Sequence, residues 1–183
     1  MKPVVGIFVG GSGKRMGGVH KGLLEVDGVP LAQRTCALGR AVADEVVLVG
    51  RAEAYASLGL HAVADAETGT GPLGGLVGLL RYAGKRHAVA LACDLPFLSA
   101  SLLARLCEEA PEAPVLSPRS GPLWNPLFAL YDAERCLPVA AAQLEAGTLS
   151  LQPLLRRLDA RELPLDDTER AALRDWDRPE DMT

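Results

Sequence analysis

Short apolar runs alternate with amphipathic stretches along the whole chain, and this alternation limits the fold more than any other feature. Runs at 4–9, 45–49, 61–64, 87–92, 114–117 and 161–164 read as strands, and stretches at 30–42, 72–84, 99–110, 132–145, 149–158 and 166–175 read as helices. Strands that alternate with helices predict an α/β fold: a mostly parallel sheet of Rossmann-like type with helices on both faces. Pro30 is expected to open the first helix, where its missing N–H costs nothing, and Ser99 to cap the helix that carries Leu102, Leu103 and Leu106. The apolar segment 124–130 contains Pro126, so an edge or irregular strand is expected there. With 183 residues, no repeat and no linker-like stretch, one domain over 1–183 is expected.

Several function classes drop out on composition. Net charge is −4 and only 4% of residues are aromatic, and no basic stripe with interleaved aromatics occurs, which argues against a nucleic-acid binder. The Arg156, Arg157 and Arg161 cluster reads as a solvated face. No apolar run reaches the roughly 18 residues of a membrane span, and 4–9 is too short for the core of a signal peptide. Cys36, Cys93, Cys107 and Cys136 are scattered without a CxxC pair, so buried thiols in a reducing cytoplasm are expected rather than a zinc site. His61 and His87 read as core or edge residues at strand starts.

The first strand runs straight into Gly10-Gly11-Ser12-Gly13-Lys14-Arg15-Met16-Gly17-Gly18-Val19-His20-Lys21. Glycines leaving a strand let backbone N–H groups turn toward a ligand, and Lys14, Arg15 and Lys21 add positive charge. No acidic residue precedes Glu25, an arrangement suited to a polyanion such as a triphosphate. The loop fits neither common nucleotide fingerprint: Phe8 and Arg15 break a Walker loop, and Met16 breaks the dinucleotide pattern. On composition alone it could also be a plain surface loop; the preceding strand and the cations favour phosphate.

Ligands of open parallel sheets sit beyond the carboxyl ends of the strands. That rule places residues 10–21, 65–75 and 93–98 on one rim. Asp94 ends the run Val89–Cys93; a carboxylate there needs a partner, and either a divalent cation or a role in capping the following turn would supply one. Gly69-Thr70-Gly71-Pro72-Leu73-Gly74-Gly75 enters a helix whose first N–H groups could receive an anion or a base edge, or could form an ordinary loop. The acid-rich stretch around Asp177 also reads as a solvated tail.

Phe8-Val9-Gly10-Gly11-x-Gly13-x-Arg15-Met16-Gly17 with Lys21 resembles the signature loop of nucleotidyltransferases that activate sugar phosphates, polyol phosphates and molybdopterin. The longer stretch Met16–Glu25 resembles the molybdenum cofactor guanylyltransferases in particular, and matching segments recur from residue 6 to residue 182. The resemblance implies transfer of GMP from GTP to molybdenum–molybdopterin with release of pyrophosphate. It implies nucleotide contacts from Phe8, Val9, Gly10, Gly11, Ser12, Gly13, Lys21, Asp65, Gly71, Pro72, Leu73 and Asp94, and catalytic roles for Arg15, Lys21 and Asp94. Cys93-Asp94-Leu95-Pro96 matches the family's Asp-x-Pro motif, and Asp175-Trp176-Asp177-Arg178-Pro179 its closing motif, which implies Mg²⁺ on Asp94 and Asp177. Asn125 and Pro126 match the segment facing the acceptor. Molybdoenzyme-maturation proteins are the implied partners, and neither nucleic acid nor a membrane is.

Three positions depart from the family pattern. His20 stands where Asp is usual, Val9 where Ala is common, and Thr148-Leu149-Ser150 where an arginine-bearing stretch is expected. They leave two alternatives open: the same chemistry with CTP or with a sugar or polyol phosphate, and a nucleotide-binding adaptor without catalysis.

Overall fold

A computed structural model describes residues 2–9, 20–109 and 112–174. Its main sheet is built in chain order from β1 (Val4–Phe8), β4 (Glu45–Val49), β5 (Ala62–Val63), β6 (His87–Ala92), β7 (Val115–Ser117), β10 (Phe128–Asp132) and β11 (Arg161–Glu162). Two small hairpins supply the remaining strands, β2 (Glu25–Val26) with β3 (Val29–Pro30) and β8 (Arg119–Ser120) with β9 (Leu123–Trp124). The helices are α1 (Leu31–Val42), α2 (Gly71–Ala83), α3 (Ala100–Glu108), α4 (Ala133–Glu145), α5 (Leu151–Arg157) and α6 (Asp167–Ala172).

The sheet order is β11-β7-β10-β6-β1-β4-β5, and every pairing is parallel except the two made by β10. Successive side chains leave opposite faces of a strand, so the sequence of each strand sorts its residues into two cores. Val47, Val49, Ala88, Ala90, Ala129 and Tyr131 pack under α2, α4 and α5. Val46, Leu48, Val89, Leu91, Phe128 and Leu130 pack under α1 and α3 on the other face. Both faces are covered, which is why the strands read as continuous apolar runs rather than as alternating ones.

Two expectations need correction. The segment 124–130 does not form an edge strand: β10 starts at Phe128, two residues beyond Pro126, and lies between β6 and β7. Pro126 needs no ladder hydrogen bond because it precedes the strand. Pro30 does not open α1; it pairs with Glu25 in the first hairpin and stands just ahead of the helix. Ser99 does cap α3, its hydroxyl accepting from the Leu102 N–H at 3.2 Å. Arg156, Arg157 and Arg161 are exposed, and Cys36, Cys93 and Cys136 are buried free thiols with Cys107 half-buried.

Candidate functional site

Register sets the floor of the site. Phe8 stands level with Val49 on one side and Ala92 on the other, so β1, β4 and β6 end together. The Ala92 N–H donates to the Leu127 carbonyl at 2.8 Å, which brings the segment entering β10 to the same rim. Above these ends lies a cleft of about 180 Å³ whose lining includes Phe8, Val9, Lys21, Asp65, Gly71 and Asp94.

Lys21 and Asp94, 73 positions apart in sequence, meet in this cleft with Nζ 3.2 Å from Oδ2. The two side chains are 20% and 18% exposed, so most of their hydration has been exchanged for one another and for the cleft wall. Asp94 lies two residues past the end of β6, and Lys21 opens a three-residue 3₁₀ turn, Lys21–Leu23. Each is therefore fixed close to a regular element. Beside Asp94, burial pushes the Cys93 thiol up to about 12, which makes it a packing group and not a nucleophile.

The opposite wall comes from the loop between β5 and α2. Asp65 lies two residues past β5, and burial raises its carboxyl above the ordinary range while Arg51 opposes the shift. Gly75 supports this wall: a Cβ there would come within 3.0 Å of the Phe8 ring and 3.2 Å of Asp65 Oδ1. The α2 N-terminus has no side-chain cap among the described residues, and Gly71 and Pro72 of its first turn line the cleft. Free N–H groups at such a helix start suit an anion or an electronegative base edge.

The structure thus brings together Phe8, Val9, Lys21, Asp65, Gly71, Pro72 and Asp94. The side chain of Leu73 is fully buried under the sheet, so only its backbone belongs to the helix start. Asn125 and Pro126 stand beside the cleft rather than lining it; Leu127 takes the lining position, and the Asn125 carbonyl accepts from Ser117 Oγ at 2.8 Å. Gly10, Gly11, Ser12, Gly13, Arg15 and Asp177 lie outside the described residues. Gly75, from the glycine-rich turn, lines the cleft, and so do Val49 and Gly50, which no motif marks; the level strand ends that place Val49 and Gly50 there are a matter of register, which one sequence does not state.

No group of three or more metal-binding side chains gathers among the described residues. Mg²⁺ commonly takes one or two carboxylates and fills its remaining positions with water and substrate phosphates. A half-buried oxygen donor such as Asp94, open to the cleft, fits that habit.

Solved structures share this fold. Molybdopterin-guanine dinucleotide biosynthesis protein A from Archaeoglobus fulgidus superposes with a TM-score of 0.81 at 25% identity, over 97% of this chain and 94% of that one. The 2-C-methyl-D-erythritol 4-phosphate cytidylyltransferase from Thermus thermophilus superposes at 0.71 with 19% identity, over 100% of this chain and 96% of that one. The architecture is that of the nucleotidyltransferases. The family model for the MobA-like NTP transferase domain matches residues 5–162. Two molybdenum cofactor guanylyltransferases from Pseudomonas putida strains agree in sequence. The one from strain GB-1 is 36% identical over 82% of this chain and 81% of its own length, and the one from strain KT2440 is 34% identical over 95% and 92%. The chain belongs to the MobA-like NTP transferase family.

Proposed function

We propose that this protein transfers GMP from GTP to molybdenum–molybdopterin, forming the guanine dinucleotide form of the cofactor and releasing pyrophosphate. The observation that carries the reading is the Lys21–Asp94 pair at the level ends of β1 and β6, in a chain whose relatives of similar length carry this activity in their names.

The nucleotide lies across the ends of β1, β4 and β6, its base toward Asp65 and the start of α2. A terminal phosphate oxygen of the acceptor attacks the α-phosphorus, a new P–O bond forms, and the bond to the β-phosphate breaks. Lys21 offsets the negative charge that builds on the α-phosphate oxygens. Arg15 and the glycine-loop N–H groups hold the departing pyrophosphate. Asp94, with Asp177, would hold Mg²⁺, which when bound supplies further neutralisation of phosphate charge. A phosphate nucleophile is already anionic near neutral pH, so the reaction needs no dedicated general base. In this reading the Lys21–Asp94 contact keeps both groups in place before the nucleotide arrives.

Pyrophosphate release is measured with Mg²⁺ and molybdopterin, offering GTP, CTP, ATP and UTP separately and with no-acceptor controls. Release with GTP alone is expected. Release with CTP reassigns the base and keeps the chemistry. No release with any nucleotide, together with a GTP-dependent rise in melting temperature, favours a different acceptor or a non-catalytic adaptor.

A further inference from the structure

The turn that carries Lys21 has little to hold it by itself. It is three residues long, has no side-chain cap at His20, and is closed by the Leu23 and Leu24 N–H groups donating to the His20 and Lys21 carbonyls. A single 3₁₀ turn of this length is marginal in isolation. The Leu31 N–H holds its far end by donating to the Leu24 carbonyl at 2.8 Å, and its height over the cleft floor is set by what lies beneath it.

Beneath it is Tyr55, from the short 3₁₀ segment Glu53–Leu58. Tyr55 is 1% exposed. Its ring meets both neighbours of Lys21. The His20 ring stands edge-on to it at 6.1 Å between centroids, and Gly22 lies so close that a Cβ there would come within 2.8 Å of Tyr55 Cε1 and 3.0 Å of its hydroxyl. Ala32 of α1 closes the same spot from the other side, 3.1 Å from that Cβ position. Among the described residues the hydroxyl has no hydrogen-bond partner, the nearby Gly22 N–H lying outside hydrogen-bonding geometry. Burial, reinforced by Cys93 and Asp94 and opposed by the Gly22 N–H, raises it to about 12, so it stays neutral.

We propose that Tyr55 is a positioning residue for nucleotidyl transfer: its ring, seated under His20 and Gly22, sets the height of the Lys21 turn and so the approach of the Lys21 ammonium to Asp94 and the α-phosphate. The inference rests on the guanylyl-transfer reading for its kinetic consequence and on the contact geometry alone for its structural one. Misplacing a reacting group by about 1 Å can cost on the order of a hundredfold in rate, so a buried residue without contact to substrate can act this way.

Tyr55→Leu removes the ring and is expected to lower kcat about tenfold or more while the KM for GTP stays within about threefold. Tyr55→Phe keeps the ring and is expected to restore kcat. The decisive comparison is Tyr55→Leu in a Lys21→Ala background, where it should cost nothing further because the group it positions is gone. Losses that multiply would overturn the proposal. Should Tyr55→Leu fail to fold, Gly22→Ala crowds the same contact from above, and the same loss and the same non-additivity with Lys21→Ala are expected. A second readout does not depend on turnover. Reductive methylation, quantified lysine by lysine by mass spectrometry, should rise several-fold at Lys21 in Tyr55→Leu or Gly22→Ala while Lys2 and Lys85 keep their wild-type rates. Unchanged labelling at Lys21 overturns the proposal. Altered labelling in a protein whose wild type transfers no GMP supports the contact and rejects the substrate reading.

Discussion

At the scale of single residues, Lys21 and Asp94 offset one another's charge inside the cleft. Asp94→Ala is expected to remain folded, by circular dichroism and melting temperature, and to lose at least about a hundredfold in Mg²⁺-dependent turnover. Normal turnover in the folded variant would remove Asp94 from the metal site. Lys21→Ala is expected to lower kcat by about a hundredfold with a smaller change in GTP affinity; weaker binding at an unchanged rate would make Lys21 an anchor. Asp65 behaves differently, because burial raises its carboxyl above the unfolded value. The native state therefore holds that proton more tightly than the unfolded chain does. The site favours folding while Asp65 is protonated, and stability falls as pH rises through the folded-state value. Asp65→Asn is accordingly expected to raise the melting temperature at pH 7, to give no gain below about pH 4 where the wild-type carboxyl is already protonated, and to weaken GTP binding. Equal melting temperatures at pH 7 would show that the carboxylate carries no burial penalty.

At the scale of elements, α2 is the part most closely fitted to the site. A Cβ on Gly78 would come within 2.4 Å of the Ala64 carbonyl, a backbone atom of the loop that presents Asp65. Gly78→Ala is expected to cost about 1–3 kcal/mol in denaturant unfolding, the usual range for overpacking, and to weaken nucleotide binding because the loop must move. Leu73, fully buried on the next turn of the helix toward its start, should cost about 2–5 kcal/mol as Leu73→Ala, as cavity-forming substitutions do. The long elements were legible in sequence because β1, β6, α2 and α4 carry unbroken apolar or amphipathic patterns. The β2–β3 and β8–β9 hairpins were not, because strands of two residues carry no periodicity. Pro126 points to an edge or irregular strand over 124–130, whereas β10 begins only at Phe128, beyond the proline. The loop ends could be placed on one rim by a general rule of parallel sheets. That Lys21 touches Asp94, or that Tyr55 lies under the turn, depends on contacts across 73 and 33 or more positions, for which a single sequence holds no signal.

At the scale of the whole molecule, the two cores are made of Leu, Val and Ala with all four thiols free. Burial raises Cys36 and Cys107 to about 11 and Cys93 and Cys136 to about 12, so almost no thiolate exists at neutral pH. Native protein is expected to react slowly with Ellman's reagent at all four positions, and protein in guanidinium to react at four equivalents. One fast-reacting native thiol would reveal an opening of the fold beside it. The reversed direction of β10 has a consequence of its own. One part of the cleft is walled by strands that are ending and another by the segment entering a strand that is beginning, so walls that meet at the β6–β10 pairing come from stretches well separated along the chain. Insertions and exchanges in 118–127 leave the β1–β4–β5 half untouched. On the proposed function, a lineage or a protein engineer can therefore redesign the side that receives the acceptor while inheriting unchanged the side that holds the nucleotide.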